Sequence, residues 1–318
     1  MISCTEFIPA YSELFSYIDD NFGKAEVERF WDYLFTPDGN GIPLINHIEK
    51  EGIKGCYTYW AGSLNEEAAD FAMYLNEKAG WFMIDMRYCP SKGRLLKLKD
   101  EIGLTPYPDY CMHCDHYRAA AEKCGLEYQY DFIGTDHASC RLAITDPKKF
   151  DGRFIPDENT VIMERKAENN EYFHPDFHSS MNMGIHYLGE HFGIKAVEGY
   201  LSRYVKNVYR SYIEDIGSRG ISAVEKMIKA TYEKEKAPEA VSFSRKEKML
   251  TVDIAFCPAV RHLRNTGRQV SPWFRYTTET VMKTVAEISG ISFGMLRYDE
   301  DTGAACFEFT DPERSEAV

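Results

Sequence analysis

The sequence predicts an α+β protein made of two related repeats. Each is a helical part followed by a small, mostly antiparallel sheet with a covering helix, and the two stand in a pseudo-two-fold arrangement. Three observations predict this. WFMIDMRYCP from Trp81 is echoed by LTVDIAFCP from Leu250, so Asp85-x3-Cys89-Pro90 finds a partner in Asp253-x3-Cys257-Pro258. Ala121-Glu122-x2-Gly125 recurs as Ala286-Glu287-x2-Gly290. A last strand carries Cys140 in the first copy and Cys306 in the second, and these two are aligned. A long internal period outranks local signals, because missing it misassigns the fold. The first repeat is placed at residues 1–145, the connection at 146–180 and the second repeat at 181–318. Two equal halves form the single-chain equivalent of a symmetric dimer.

The elements follow in order. Leu14, Tyr17 and Ile18 share a helical face, Gly23 ends that helix, and Val27, Phe30, Trp31 and Leu34 resume the spacing. Thr36 to Gly41 is a loop by its turn residues, Ile42 to Lys54 a helix, and Asn65 to Lys78 another closed by Gly80. Phe82 to Cys89 reads as a strand stopped by Pro90. Tyr110-Cys111-Met112-His113-Cys114-Asp115-His116 opens a helix running to Cys124. Leu126–Ile133 and Ala138–Ile144 form a hairpin around Gly134-Thr135-Asp136, and Thr160–Met163 has strand character within the connection. In the second copy Ile185 to Gly193 matches Phe15 to Gly23. One long amphipathic helix is expected over Val197–Tyr212 and another over Ser222–Lys236.

Composition narrows the function. A net charge of −13 argues against a nucleic-acid binder, which needs clustered Lys and Arg to neutralise phosphates. No apolar run suits a bilayer span, so no membrane partner is expected. The first residues have no basic region leading into an apolar core, and nine cysteines is an odd number, so reduced thiols in a cytoplasmic protein are expected. No glycine-rich phosphate motif follows a strand, so no nucleotide cofactor is indicated.

The chemistry is concentrated in sulfur and imidazole. Cys111-x2-Cys114 with His113 and His116 places four soft ligands within six residues, and its two thiolates on one turn supply half of a tetrahedral zinc site. No second Cys-x2-Cys completes it, so folding has to bring Cys140, Cys89 or His137 near. A helix N-terminus at Cys111 would lower the thiol pKa. Cys111, Cys114, Cys140 and His116 are therefore the candidate metal ligands. Zinc is the expected metal, and an iron–sulfur cluster the alternative. In a nucleophilic reading Cys89 attacks, His113 or His116 is the base and Asp115 orients it or activates water. Tyr110 and Tyr117 beside this turn, and Arg261 beyond Cys257, are candidate contacts for a flat, carboxylate-bearing small molecule. Against both readings stands plain packing, since free cysteine is among the most buried residue types and recurs at the same place in both copies. His174, His178, His186 and His191 form a second, looser imidazole group.

A helical first part, a strand ending in Cys-Pro, Cys-x3-Asp opening a helix, and a hairpin whose last strand carries Cys together resemble the L-2-amino-thiazoline-4-carboxylic acid hydrolase family. The last strands also resemble 4-vinyl reductase domains. The carriers are Cys89, Cys111, Asp115 and Cys140 in the first half, with Cys257, Cys306 and Phe307 in the second. Tyr276 stands where Cys111 stands and Thr280 where Asp115 stands, so the first half alone keeps the full set. The resemblance implies hydrolysis of a cyclic C–N bond in a small heterocycle. The alternatives are a non-catalytic small-molecule or metal-binding module and an iron–sulfur protein.

Overall fold

A computed structural model describes residues 1–35, 41–65, 69–166 and 173–311. The predicted loop after Phe35 falls mostly at 36–40, outside the described residues. The protein is α+β with two antiparallel sheets. It divides into two compact units, Ile18–His174 and a discontinuous one of Met1–Tyr17 with Pro175–Val318. The cut falls inside helix α1 (Phe7–Phe22), so residues 1–17 join the trailing part of the chain.

In the unit Ile18–His174 the elements are α2 (Lys24–Leu34), α3 (Gly41–Glu51), α4 (Lys54–Asn65), β1 (Asp70–Asn76), β2 (Trp81–Tyr88), α5 (Pro90–Ile102), α6 (Tyr117–Lys123), β3 (Glu127–Asp131), β4 (Cys140–Thr145) and β5 (Val161–Arg165). Gly23, at φ 90°, makes the break between α1 and α2 that an L side chain would resist. The sheet order is β3-β4-β2-β1-β5, all antiparallel. α4 and α6 pack on it, with α3 against both helices. Phe71, Met73, Phe82, Ile84, Leu142 and Ile144 point into that core, where Trp60 stacks on Phe82 at 5.5 Å. Burying a side chain such as Phe82 stabilises by about 1.5–3 kcal/mol.

The second unit contains α7 (Phe177–Phe192), α8 (Ile194–Val208), α9 (Arg210–Arg219), α10 (Ile221–Lys234), β6 (Val241–Lys246), β7 (Met249–Ile254), α11 (Pro258–Asn265), α12 (Tyr276–Ser289), β8 (Ser292–Tyr298) and β9 (Ala305–Thr310). Its sheet order is β6-β7-β9-β8, with α10 and α12 against it. Among the described residues no helix is long and apolar enough to cross a membrane.

Four expectations need correction. Within the helix predicted over 65–78, residues 70–76 are strand β1. Its Ala, Met, Leu and Glu favour helix, but β1 is paired on both sides, with β2 and β5, and Phe71, Met73 and Leu75 alternate into the core, so tertiary pairing overrides propensity. The helix predicted over 197–212 breaks at Tyr209, whose buried hydroxyl donates to Glu6 Oε2 at 2.9 Å. The Cys111–His116 segment is a 3-10 turn, Tyr110–His116, and the α-helix begins only at Tyr117.

The fourth correction concerns the aligned cysteines. Asp85 faces Arg141 across the ladder, whereas Asp253 faces Cys306. Counted from these aspartates, the counterpart of Cys306 is Arg141, and that of Cys140 is Ala305. Cys140 lies on the inward face with Leu142 and Ile144. Cys306 shares the opposite face with Glu308, away from buried Phe307 and Phe309. Alternation of side chains makes this one-residue shift a change of face.

Candidate functional site

Three structural features converge on one cavity in the unit Ile18–His174. Strand β2 ends at Cys89, and Pro90 occupies the first position of α5, where its missing N–H costs nothing. The 3-10 turn supplies Cys111, His113 and Cys114, and β4 begins with Cys140. The cavity offers about 40 Å³ and is lined by Cys89, Lys92, Cys111, His113, Cys114 and Cys140, with Tyr110, Tyr130, Ala138 and Ser139 around them. That is room for roughly three water-sized groups. Ala138 sits in the left-handed region at φ 61°, and its carbonyl accepts the Cys89 N–H at 2.7 Å, fixing the loop against the strand end.

The electrostatics are those of crowded, buried thiols. Burial pushes Cys111 up to about 12; neighbouring Cys114 adds to the rise and Lys92 opposes it. Burial pushes Cys140 up to about 11, held back by the hydrogen bond with Tyr130. Cys89 is raised well above the usual thiol range by burial and then by Cys140, while the Lys92 backbone amide at the start of α5 works the other way. The expected depression of Cys111 by a helix N-terminus is thus overturned, because a 3-10 turn stands there. His113 is pulled down to about 4 by burial, against the effect of its bond to Tyr110. Its Nδ1–H donates to the Tyr110 carbonyl, which leaves Nε2 as an acceptor 3.6 Å from Cys114 Sγ.

Not all the predicted site residues meet. Cys89, Cys111, Cys114, Cys140, His113 and Tyr110 line the cavity. Asp115 does not line it; its carboxylate holds Arg118 at 2.6 Å. His116 bonds Asp32 at 2.9 Å and lies against Trp31 and Phe35. Tyr117 meets the Tyr59 hydroxyl at 3.2 Å and the Trp60 ring. Arg261 belongs to the other unit and stacks on Phe256. Of the looser histidine group, His186 meets Trp273, His191 meets Tyr187, and His178 bonds Glu235 at 2.8 Å.

Sequence reasoning missed Lys92 and Tyr130. The signal for Lys92 was its place in the first turn of a helix announced by Cys-Pro. The signal for Tyr130 was strand alternation, which sets it opposite Leu142. No protein-family model, curated protein or solved structure matches the chain.

Proposed function

We propose that the cavity of Cys89, Cys111, Cys114 and Cys140 is a thiolate metal centre. The observation that carries this reading is the convergence of four thiols from three separate elements on one small space. Four thiolates so close repel one another, and a bound cation removes both the repulsion and the burial cost that hold the thiols protonated. Among the described residues, no three donor atoms of this pocket lie within 4.8 Å of one another. A single zinc with bonds of about 2.3 Å wants sulfurs roughly 3.8 Å apart. An iron–sulfur cluster, held by four Cys thiolates that need not converge on one atom, suits this set better than one zinc ion. Lys92 and the amides at the start of α5 suit the negative charge of a tetrathiolate cluster, and such a cluster would supply electron transfer or a Lewis-acid site.

The same order of elements in both units supports a doubled ancestral unit. β3-β4-β2-β1 corresponds to β8-β9-β7-β6, with β5 as an addition. In this reading the trailing copy lacks the thiolate centre. Nine free thiols suit a reducing compartment such as the cytoplasm.

A second reading keeps the hydrolase chemistry implied by the family resemblance. It is favoured by His113 Nε2 beside Cys114 Sγ. Here Cys114 takes the nucleophile's place expected of Cys89. Its proton passes to His113, the thiolate attacks the ring carbon, and the imidazolium protonates the departing nitrogen.

Anaerobic purification followed by iron, sulfide and zinc analysis tests the first reading. Stoichiometric iron and sulfide are expected in the wild type, with loss of both in Cys111→Ser and Cys140→Ser. Metal-free wild-type protein that hydrolyses a thiazoline carboxylate, and stops doing so in Cys114→Ser, would establish the second reading instead.

A further inference from the structure

We propose that Cys4, His178 and Glu235 form a binding site for a zinc-class divalent cation in the unit Met1–Tyr17 with Pro175–Val318. The three residues come from distant stretches: a one-turn 3-10 helix (Cys4–Glu6), the first turn of α7, and the residue that follows α10. Their donor atoms all lie within 4.8 Å of one another. All three are buried, at 1, 3 and 7 % exposure.

The donor set suits the cation. One thiolate, one imidazole and one carboxylate are borderline-soft ligands, and three protein donors leave a fourth position of a tetrahedron open. The carboxylate is already oriented. Glu235 Oε1 accepts the Cys4 backbone N–H at 2.6 Å, and Oε2 lies 2.8 Å from His178 Nε2. A ligating carboxylate steadied through its second oxygen is the usual outer arrangement of a metal site. A carboxylate, an imidazole and a thiol therefore face one another in a buried space.

Binding requires small changes. The His178 proton shifts to Nδ1, so that Nε2 offers its lone pair. The Cys4 thiol releases its proton to solvent as the sulfur–metal bond forms. Nε2 and Oε2 spread from 2.8 Å to about 3.4 Å, the separation set by bonds of roughly 2.0–2.2 Å. The cation would clamp residues 3–6 to α7 and to the end of α10.

Zinc titration of the wild-type chain under reducing conditions, with bound metal counted after gel filtration, is the test. Cobalt(II) serves as the spectroscopic reporter. Cys4→Ser is expected to bind one zinc fewer than wild type and to lose a one-thiolate cobalt charge-transfer band. Glu235→Gln keeps an acceptor for the Cys4 amide, so it retains the wild-type circular dichroism while binding zinc at least tenfold more weakly. Equal zinc content in wild type, Cys4→Ser and Glu235→Gln would overturn the proposal and leave the trio as a hydrogen-bond clamp.

Discussion

The surroundings of Cys89 and Cys257 are built alike and furnished differently. Each cysteine caps a helix that starts with Pro and has its backbone N–H bonded to the loop before the last strand; Cys89 follows its strand directly, whereas Ala255 and Phe256 separate Cys257 from β7. Around Cys89 stand Ser91, Lys92, Tyr130 and Cys140. Ladder position and helix position put Ala259, Val260, Met295 and Ala305 in the corresponding places around Cys257. Ala259, Val260 and Ala305 are fully buried, and Met1 Sδ packs on Cys257 Sγ at 3.2 Å. The contrast extends to one backbone position. Ala138 and Gly303 both take φ above 60°, but a Cβ on Gly303 would stand 2.5 Å from the Cβ of Cys257. A cysteine in this Cys-Pro cap is thus compatible with dry packing. What sets Cys89 apart is the other three sulfurs and the space left beside Ala138.

That contrast can be broken by experiment. The largest effect is expected from Gly303→Ala, which drives a methyl against Cys257 and Val260 and should cost about 1–3 kcal/mol in urea unfolding. Ala138→Gly relieves a left-handed alanine and should be neutral or stabilising by about 1 kcal/mol. Equal costs for the two would show that the two loops are not differently packed.

The next effect is alkaline. Burial raises the Cys56 thiol far above its usual value in the folded protein. As pH climbs past roughly 9, the unfolded chain loses this proton while the folded one keeps it, so stability falls by about 1.4 kcal/mol per pH unit. Below that pH both states are protonated and the contribution is flat. Cys56→Val should remove this share of the slope between pH 8 and 10, and an unchanged slope would mean the thiol ionises in place.

The smallest effect sits on the outer face. Asp85 reaches Arg141 at 3.2 Å, and Asp253 reaches Arg297 at 3.5 Å. Asp85→Asn and Asp253→Asn should each cost no more than about 0.5 kcal/mol, with the loss screened by salt. A cost several times larger in one of them would mark that face as functional.

Much of this was legible in the primary structure. Asp-x3-Cys-Pro located both central strands and the end of β2, though β7 stops at Ile254, short of Cys257, and the hairpin over 126–144 followed from alternation around Gly134. Of the ligand set read from spacing, Cys111, Cys114 and Cys140 line one cavity, while His116 turns to Asp32. What failed did so for identifiable reasons. Strand β1 is written in helix formers and is imposed by its two neighbours. Matching cysteine to cysteine put Cys306 one residue out, because identity was followed where side-chain alternation decides. Asp115 was drawn from the cavity by Arg118, a partner three residues along the same turn. Cys4 and Glu235, 231 residues apart, share no local pattern that could have joined them.

The division of the chain orders its synthesis on the ribosome. Ile18–His174 is translated in full before the last segments of the other unit. Residues 1–17 belong with segments translated last and must wait through that whole interval with Phe7, Ile8 and Leu14 unsheltered. A nascent chain interrupted before Pro175–Val318 is complete would therefore hold an apolar segment with nothing to cover it, a natural client for a chaperone.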